Sequence, residues 1–108
     1  MVFKVNFSDE GADDLDEIIR YISVELCNPK AAENFYNEVD EKIELLREHP
    51  YIFPLYPDEK LNAEGYRYAI IRNFLMFYLV DDEISVVTIA RILYGKRDIP
   101  SAFDDSDT

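Results

Sequence analysis

The feature that most constrains the fold is an uninterrupted apolar run, "FLMFYLV", at residues 74–80. Seven residues are far too few for a membrane span, which needs about 20. The run also lacks the alternation that would leave one face of a strand in water. It therefore predicts a central strand that is covered on both faces. A chain of 108 residues is long enough to build one such core without disulfides.

Two amphipathic stretches precede this strand and predict a helical hairpin. Ser8 can cap a first helix over about 9–26, and Asn28 with Pro29 suits the start of a second helix over about 29–48. Pro50 ends the second helix, and the short break between the two predicts an antiparallel pair. The apolar positions recur at helical spacing; they are Ala12, Leu15, Ile18, Ile19, Ile22 and Leu26, then Ala32, Phe35, Tyr36, Val39, Ile43 and Leu46.

The remaining segments predict a sheet. Residues 2–7 alternate as a short strand, 50–65 are a proline-rich loop, and 66–72, 73–80 and 84–94 form an antiparallel meander. The order β-α-α-β-β-β predicts an α+β domain, with the helical hairpin packed on a small, mainly antiparallel sheet. We expect one domain over 1–99 and an acidic, flexible tail over 100–108. We also expect strand 84–94 at or near a sheet edge, where a partner peptide could pair with it.

Composition excludes several classes of function. The net charge of −12 argues against non-specific binding of nucleic acid over the whole surface. The single cysteine, Cys27, allows no internal disulfide, and the start of the chain does not resemble a signal peptide, so we expect a cytoplasmic protein. The sequence contains no P-loop, no glycine-rich dinucleotide turn and no zinc-ligand spacing. We therefore expect no metal and no cofactor.

One segment, "RILYGKR" at 91–97, runs against the acidic background. Residues 67–97 carry five cations against three acids, and the cations surround a tyrosine; the set is Arg67, Arg72, Arg91, Tyr94, Lys96 and Arg97. Arginine pairs well with phosphate, and a tyrosine beside cations can stack on a base or transfer a proton. In a meander, Arg72 and Arg91 fall at the same end of the sheet and can approach the segment 94–97. The alternative is that these are strand-end charges and that Tyr94 is a packing residue.

Three stretches together resemble the RelE/ParE superfamily of type II toxin–antitoxin toxins, which includes small plasmid-stabilisation proteins. They are "DDLDEIIRYI", the helix end "LLREHP", and "GYRYAIIRNFLMFYLVDDEISVVTIARILYGKRDI". The resemblance covers roughly residues 4–99, and the sheet segment is its most specific part. It implies a growth-inhibiting toxin that a cognate antitoxin neutralises.

The resemblance implies two kinds of target. RelE-like members cut mRNA on the ribosome, which would make Arg72, Arg91 and Tyr94 catalytic and would give Arg67, Lys96 and Arg97 to RNA or partner binding. ParE-like members bind DNA gyrase. The acidic chain and the long helical hairpin favour the ParE-like form, because ribosome binders are usually basic. The alternatives are a RelE-like endoribonuclease, which alone would make the chain an enzyme, and an inactive antitoxin-binding module.

The same resemblance implies the assembly. We expect no membrane association, and either a homodimer or a hetero-oligomer with the antitoxin. The partner should carry acidic residues where it meets 91–97, because that segment is cationic.

Overall fold

The computed structural model describes residues 2–104 and confirms the predicted α+β class, with a helical hairpin on a mainly antiparallel sheet. The strands and helices are β1 (Lys4–Phe7), α1 (Asp9–Arg20), a π-helical turn (Tyr21–Glu25), α2 (Pro29–Glu48), α3 (Glu59–Ala63), β2 (Arg67–Ile71), β3 (Phe74–Asp81), β4 (Val86–Tyr94) and α4 (Ile99–Asp104).

Both helix starts form as their sequences predict. The Ser8 side chain accepts a hydrogen bond from the Gly11 N–H, and the Asn28 side chain accepts one from the Ala31 N–H. These bonds satisfy N–H groups that have no partner inside a helix. The π-helical turn prolongs α1, and the chain then reverses through Cys27, whose φ of 48° lies in the left-handed region. The two helices therefore form the hairpin that the sequence predicts.

The strand order is β1-β4-β3-β2, so β4 lies one strand in from an edge, which agrees with the expected place at or near an edge. Strand β1 pairs with it in parallel, from Lys4↔Val86 to Phe7↔Ile89. The short N-terminal strand thus occupies the edge itself. The sheet edges are β1 and β2, and residues 54–56 already cover the first half of β2 through backbone hydrogen bonds to residues 66 and 68.

Strand β3 is covered on both faces, as its apolar run predicts. On one face, called the hairpin face, α1 and α2 pack over a buried cluster that includes Phe35, Val39, Met76, Tyr78 and Ile89. On the opposite face, called the outer face, a second cluster consists of Leu61, Phe77, Leu93, Ile99 and Ala102. Two layers of side chains therefore hold the central strand in place.

Two short helices form where the sequence predicts none. Helix α3 lies inside the predicted 50–65 loop, where the Asp58 side chain caps it and Leu61 is buried. Helix α4 occupies residues 99–104, and its residues 100–104 belong to the segment that we expected to be a flexible tail. Its Ile99 and Ala102 are each 2% exposed, so apolar burial orders this part of the chain. Residues 105–108 of the predicted tail lie outside the described residues.

Candidate functional site

One end of the sheet gathers most of the predicted site residues. The β2–β3 turn and the C-terminal end of β4 meet there, with Ile71 opposite Phe74 and Phe74 opposite Tyr94. The Gly95 N–H donates to the Asn73 carbonyl at 2.8 Å. Arg72, Tyr94, Lys96 and Arg97 therefore lie together, and we call this set the Tyr94 end.

Gly95 suits this close approach. A Cβ at this position would lie 3.2 Å from the Asn73 carbonyl oxygen, which is tighter than ordinary contact. The glycine thus allows the segment after β4 to bond to the β2–β3 turn. This bond positions Lys96 beside Tyr94.

Tyr94 sits on the hairpin face of the sheet and remains accessible. Its ring meets Phe74 edge-on, with centroids 5.8 Å apart, and Phe74 in turn meets Phe35 of α2. The residue is nevertheless 45% exposed. A side chain fixed by packing but open to solvent is suited to contact a partner molecule.

Arg72 is held by a single surface ion pair. Its Nη2 lies 2.9 Å from the Glu38 Oε1 of α2, and the two side chains are 55% and 34% exposed. A pair this exposed contributes less than about 1 kcal/mol. A phosphate or carboxylate of a partner could therefore replace Glu38 at little cost.

Arg91 follows a β-bulge in β4. Opposite Phe77 and Tyr78 the register shifts, so that Arg91 pairs with Phe77 while Ile89 pairs with Tyr78. Ala90 is the extra residue. A bulge of this kind re-aims the side chains that follow it.

Helix α1 takes over the edge of β4 where β1 ends. Ser8 donates its N–H to Ile89 and its hydroxyl to the Ala90 carbonyl, both at 2.9 Å. Gly11 makes this contact possible, because a Cβ there would lie 2.5 Å from the Ile89 carbonyl oxygen. The helix therefore packs directly against the backbone of β4.

Asp14 of α1 binds Arg91 in a bidentate ion pair. The Arg91 Nε lies 2.7 Å from the Asp14 Oδ2, and the Nη2 donates to the Oδ1 at 3.1 Å. The same carboxylate accepts the Ile92 N–H at 2.9 Å, and the Arg91 Nη1 donates to the Ala102 carbonyl at 3.3 Å. The two side chains are only 21% and 14% exposed. Arg91 thus ties together α1, β4 and α4.

The strand register separates Arg91 from Tyr94. Arg91 lies opposite Phe77 of the outer face, whereas Tyr94 packs on Phe74 of the hairpin face. The two are also three residues apart along β4, about 10 Å at ordinary strand rise. The structure therefore brings together Arg72, Tyr94, Lys96 and Arg97 but leaves Arg91 on the other face.

Arg67 lies at the opposite end of β2 from Arg72, about 16 Å away at ordinary strand rise. Its Nη1 donates to the Phe53 carbonyl at 2.7 Å and to the Tyr51 carbonyl at 3.4 Å. The guanidinium also lies 4.8 Å from the centre of the Tyr51 ring, where a cation–π contact forms. Arg67 therefore holds the loop after α2, and we call this region the Arg67 end.

Two tyrosines strengthen the Arg67 end. The Tyr78 hydroxyl donates to the Pro50 carbonyl at 2.9 Å, and desolvation by burial raises the pKa of Tyr78 to about 12. The Tyr51 hydroxyl donates to Asp82, and this hydrogen bond raises the pKa of Tyr51. Both phenols stay protonated at neutral pH, so this end holds no phenolate that could act as a base.

Sequence patterns did not indicate which carboxylates engage the arginines. Asp14 was one of several acids in the first helix, and Glu38 was one of several on the outside of the second. Asp14 lies 77 residues before Arg91 in the chain, so no local spacing could pair them. Among residues 2–104, no group of His, Cys, Asp and Glu could hold a metal ion, and no helix is both long and apolar enough to cross a membrane.

Solved structures from toxin–antitoxin systems share this fold. A chain of the chromosomal ParDE system from P. aeruginosa is 21% identical, with a TM-score of 0.67, over 86% of this chain and 96% of that one. The RelBE2 complex from Mycobacterium tuberculosis contains a chain that is 20% identical, with a TM-score of 0.62, over 87% and 99%. A mutant of E. coli RelE in the free state is 12% identical, with a TM-score of 0.64, over 99% and 98%.

No curated protein matches the sequence, but a family model does. The model for the ParE toxin of the type II toxin–antitoxin system parDE matches residues 5–99, which is nearly the whole of the chain. The sheet, the hairpin and the Tyr94 end all lie within the matched residues. The chain therefore belongs to the ParE toxin family of type II toxin–antitoxin systems.

Proposed function

We propose that this toxin acts by binding a protein, in the manner of ParE, with DNA gyrase as its target and a cognate antitoxin as its inhibitor. The observation that carries the proposal is the engagement of Arg91 by Asp14. An mRNA nuclease needs cations around one scissile phosphate, and this arginine is committed elsewhere.

The chemistry of RNA cleavage explains why this matters. Cleavage through a 2′-hydroxyl needs a group that takes its proton, a group that protonates the leaving oxygen, and cations that stabilise the pentavalent phosphate. Arg91 would have to leave a bidentate, mostly buried carboxylate to join Tyr94 on the other face. Breaking such a pair leaves a buried charge without its partner, which is costly.

The charge of the chain supports the same conclusion. A protein that docks on ribosomal RNA gains affinity by neutralising phosphates with lysine and arginine. This chain has 23 acidic and 11 basic residues, and ten of the acids lie exposed on helices α1 and α2. The cations of the Tyr94 end are enough to bind the acidic groups of a protein. When RNA approaches, however, the acidic remainder of the surface repels its phosphates.

Two assays on the purified chain test the proposal. We expect it to inhibit supercoiling by DNA gyrase, and we expect an equimolar amount of the small protein encoded beside it to relieve that inhibition. Messenger RNA should stay intact after induction in cells. A chain carrying Glu41→Gln, on the exposed face of α2, is the matched control and should inhibit equally. Intact supercoiling together with cuts inside translated codons would contradict the proposal.

A second candidate function is the RelE-like endoribonuclease, which the Tyr94 end favours. Tyr94 is half exposed beside Arg72, whose surface ion pair with Glu38 is weak. In that case Tyr94 would transfer the proton and Arg72 with Lys96 would stabilise the phosphate. The contribution of Arg91 would then be to position β4 through Asp14.

One pair of variants separates the two functions. Tyr94→Phe removes a hydroxyl but keeps a ring for packing, so a protein-binding toxin should lose less than about threefold in activity. A nuclease that uses the phenol as an acid or base should lose about 100-fold or more. Arg72→Ala removes a cation of the Tyr94 end that either function would use. It should therefore weaken both functions and serves as the positive control.

A further inference from the structure

Within residues 2–104, helices cover the outer face of the sheet over only part of its length. Helices α3 and α4 cover the half around Phe77 and Leu93. The other half forms a groove of about 460 Å³, which we call the outer groove; its lining includes Leu79, Thr88, Ala90, Tyr66 and Phe103. At Leu79 and Thr88 it continues into a second, more open hollow of about 530 Å³ beside the β3–β4 turn.

The outer groove has an aromatic wall. The rings of Tyr66 and Phe103 meet with centroids 4.8 Å apart, and Phe103 also meets Phe77 edge-on at 5.2 Å. These contacts fix the wall against the second core cluster. A cation that lies on such a ring face gains a cation–π contact in addition to any ion pair.

The rim of the outer groove is acidic. Glu10 of α1 lies at the first hollow, and Glu64 lies at the second, beside the exposed acids at 81–83. Arg91 is the cation that lines these hollows, and it already pairs with Asp14. Burial raises the pKa of Tyr66, and the charges of Glu64 and Glu10 raise it further, so both carboxylates act on one phenol.

The charge selects the class of occupant. A nucleic acid would bring phosphates against this rim, and a second copy of the chain would bring a net charge of −12 that outweighs the cations of its Tyr94 end, so both are disfavoured. A peptide with apolar and basic side chains is attracted to the apolar lining, the aromatic wall and the acidic rim, and the cation in the lining, Arg91, is already paired with Asp14. The apolar part covers Leu79 and Ala90, and the basic part meets Glu10, Glu64 and the aromatic wall.

We propose that the outer groove binds a segment of the antitoxin that carries an apolar side chain over Leu79 and Ala90 and lysine or arginine toward Glu10 and Glu64. The identity of the occupant rests on the proposed function. The charge of this segment is opposite to the charge expected at the Tyr94 end, where the partner should be acidic. The antitoxin therefore meets the two surfaces with segments of opposite sign.

The test is a titration of the purified full-length antitoxin against two matched pairs of variants. Glu10→Gln with Glu64→Gln should weaken binding about tenfold and should reduce its dependence on salt. Glu41→Gln with Glu48→Gln removes the same charge from α2, away from the groove, and should change affinity by less than about twofold. All four acids are exposed, so the folded state should tolerate either pair. Equal affinities for the two pairs would overturn the proposal.

A second variant tests the position directly. Thr88→Arg places a cation in the groove without touching the Tyr94 end, and it should weaken the antitoxin about tenfold or more. Unchanged affinity would show that the antitoxin binds elsewhere. If sedimentation instead shows a homodimer that Thr88→Arg disrupts, the groove belongs to a second copy and the proposal fails.

The two proposals fail in different ways. If the antitoxin binds the wild-type chain and every groove variant with the same affinity, the groove proposal is wrong and the proposed toxin function still stands. If no antitoxin neutralises the chain, the proposed function is wrong, and the proposed identity of the occupant is wrong with it.

Discussion

The two ends of the sheet each place an arginine beside a tyrosine, but only one of these arginines is fixed by the backbone. At the Arg67 end, the guanidinium donates to two carbonyl groups and lies over the Tyr51 ring. At the Tyr94 end, Arg72 has one exposed ion pair with Glu38. The residue types are alike, yet the first arginine holds a loop and the second is available to a partner.

The difference lies in what the neighbouring loop supplies. Residues 50–53 run beside β2 and offer their carbonyl groups to Arg67 and Tyr78, whereas the two-residue turn beside Arg72 has no such neighbour within the described chain. Arg91, between the two ends, resembles Arg67, because Asp14 and the Ala102 carbonyl hold it. We therefore expect the three arginines to differ in their effect on stability.

The largest effect is expected from Asp14→Ala. It removes the partner of Arg91 and the acceptor of the Ile92 N–H, so the free energy of unfolding should fall by about 3 kcal/mol. Urea titration measures this change. Asp13→Ala, at the exposed neighbouring position, is the control and should change the free energy by less than about 0.5 kcal/mol. A loss at Asp14 as small as the control would mean that Arg91 is as available as Arg72.

The next largest effect is expected from Arg67→Ala. It leaves the Tyr51 and Phe53 carbonyl groups without their charged donor, and the free energy of unfolding should fall by about 1–2 kcal/mol. Arg67→Lys keeps the charge but lacks the planar guanidinium that lies over the Tyr51 ring, so it should recover only part of the loss. Full recovery by lysine would show that charge alone holds the loop.

The third effect depends on pH. The pKa of Tyr78 rises from 10.0 to about 12 on folding, so its contribution is complete below pH 10 and is lost as pH rises through about 12. Tyr78→Phe should therefore make stability fall less steeply across that range, and it should cost about 1 kcal/mol at neutral pH through the lost bond to Pro50. Urea titrations from pH 8 to about 12 measure the slope. Tyr36→Phe, at an exposed position, should leave the slope unchanged.

The smallest effect on stability is expected from Arg72→Ala. An exposed ion pair contributes little, so the free energy of unfolding should change by less than about 0.5 kcal/mol. Toxicity should nevertheless fall, because the Tyr94 end loses a cation. Glu38→Gln exposes Arg72 without removing it, and it should preserve toxicity. A large loss of stability in Arg72→Ala would erase the contrast between the two ends.

The sequence predicted the helices and strands better than it predicted which strands pair with each other. Hydrophobic spacing, Ser8 and the Asn28–Pro29 pair were enough to predict the hairpin, and the apolar run at 74–80 predicted the covered strand. The pairing of β1 with β4 was not predicted, because nothing local in residues 2–7 indicates that they pair in parallel with a strand some 80 residues later. Helix α3 was missed because it is short and lies among prolines.

The candidate site was only partly predictable for the same reason. Alternation and the tight turn were enough to predict that Arg72 and Tyr94 share an end of the sheet. The bulge at Ala90 could not be predicted, since it depends on where β1 ends and α1 begins to pack on β4. That bulge places Arg91 on the outer face, and Asp14 then fixes it there.

The parallel pairing of β1 with β4 has a consequence for how the chain is made. The residues that complete the hydrogen bonds of the first strand are synthesised some 80 residues after it. The helical hairpin rests on local contacts and can form promptly, whereas closing the sheet must wait for a loop of nearly the whole chain. The toxin therefore has a folded helical hairpin before it has a complete sheet.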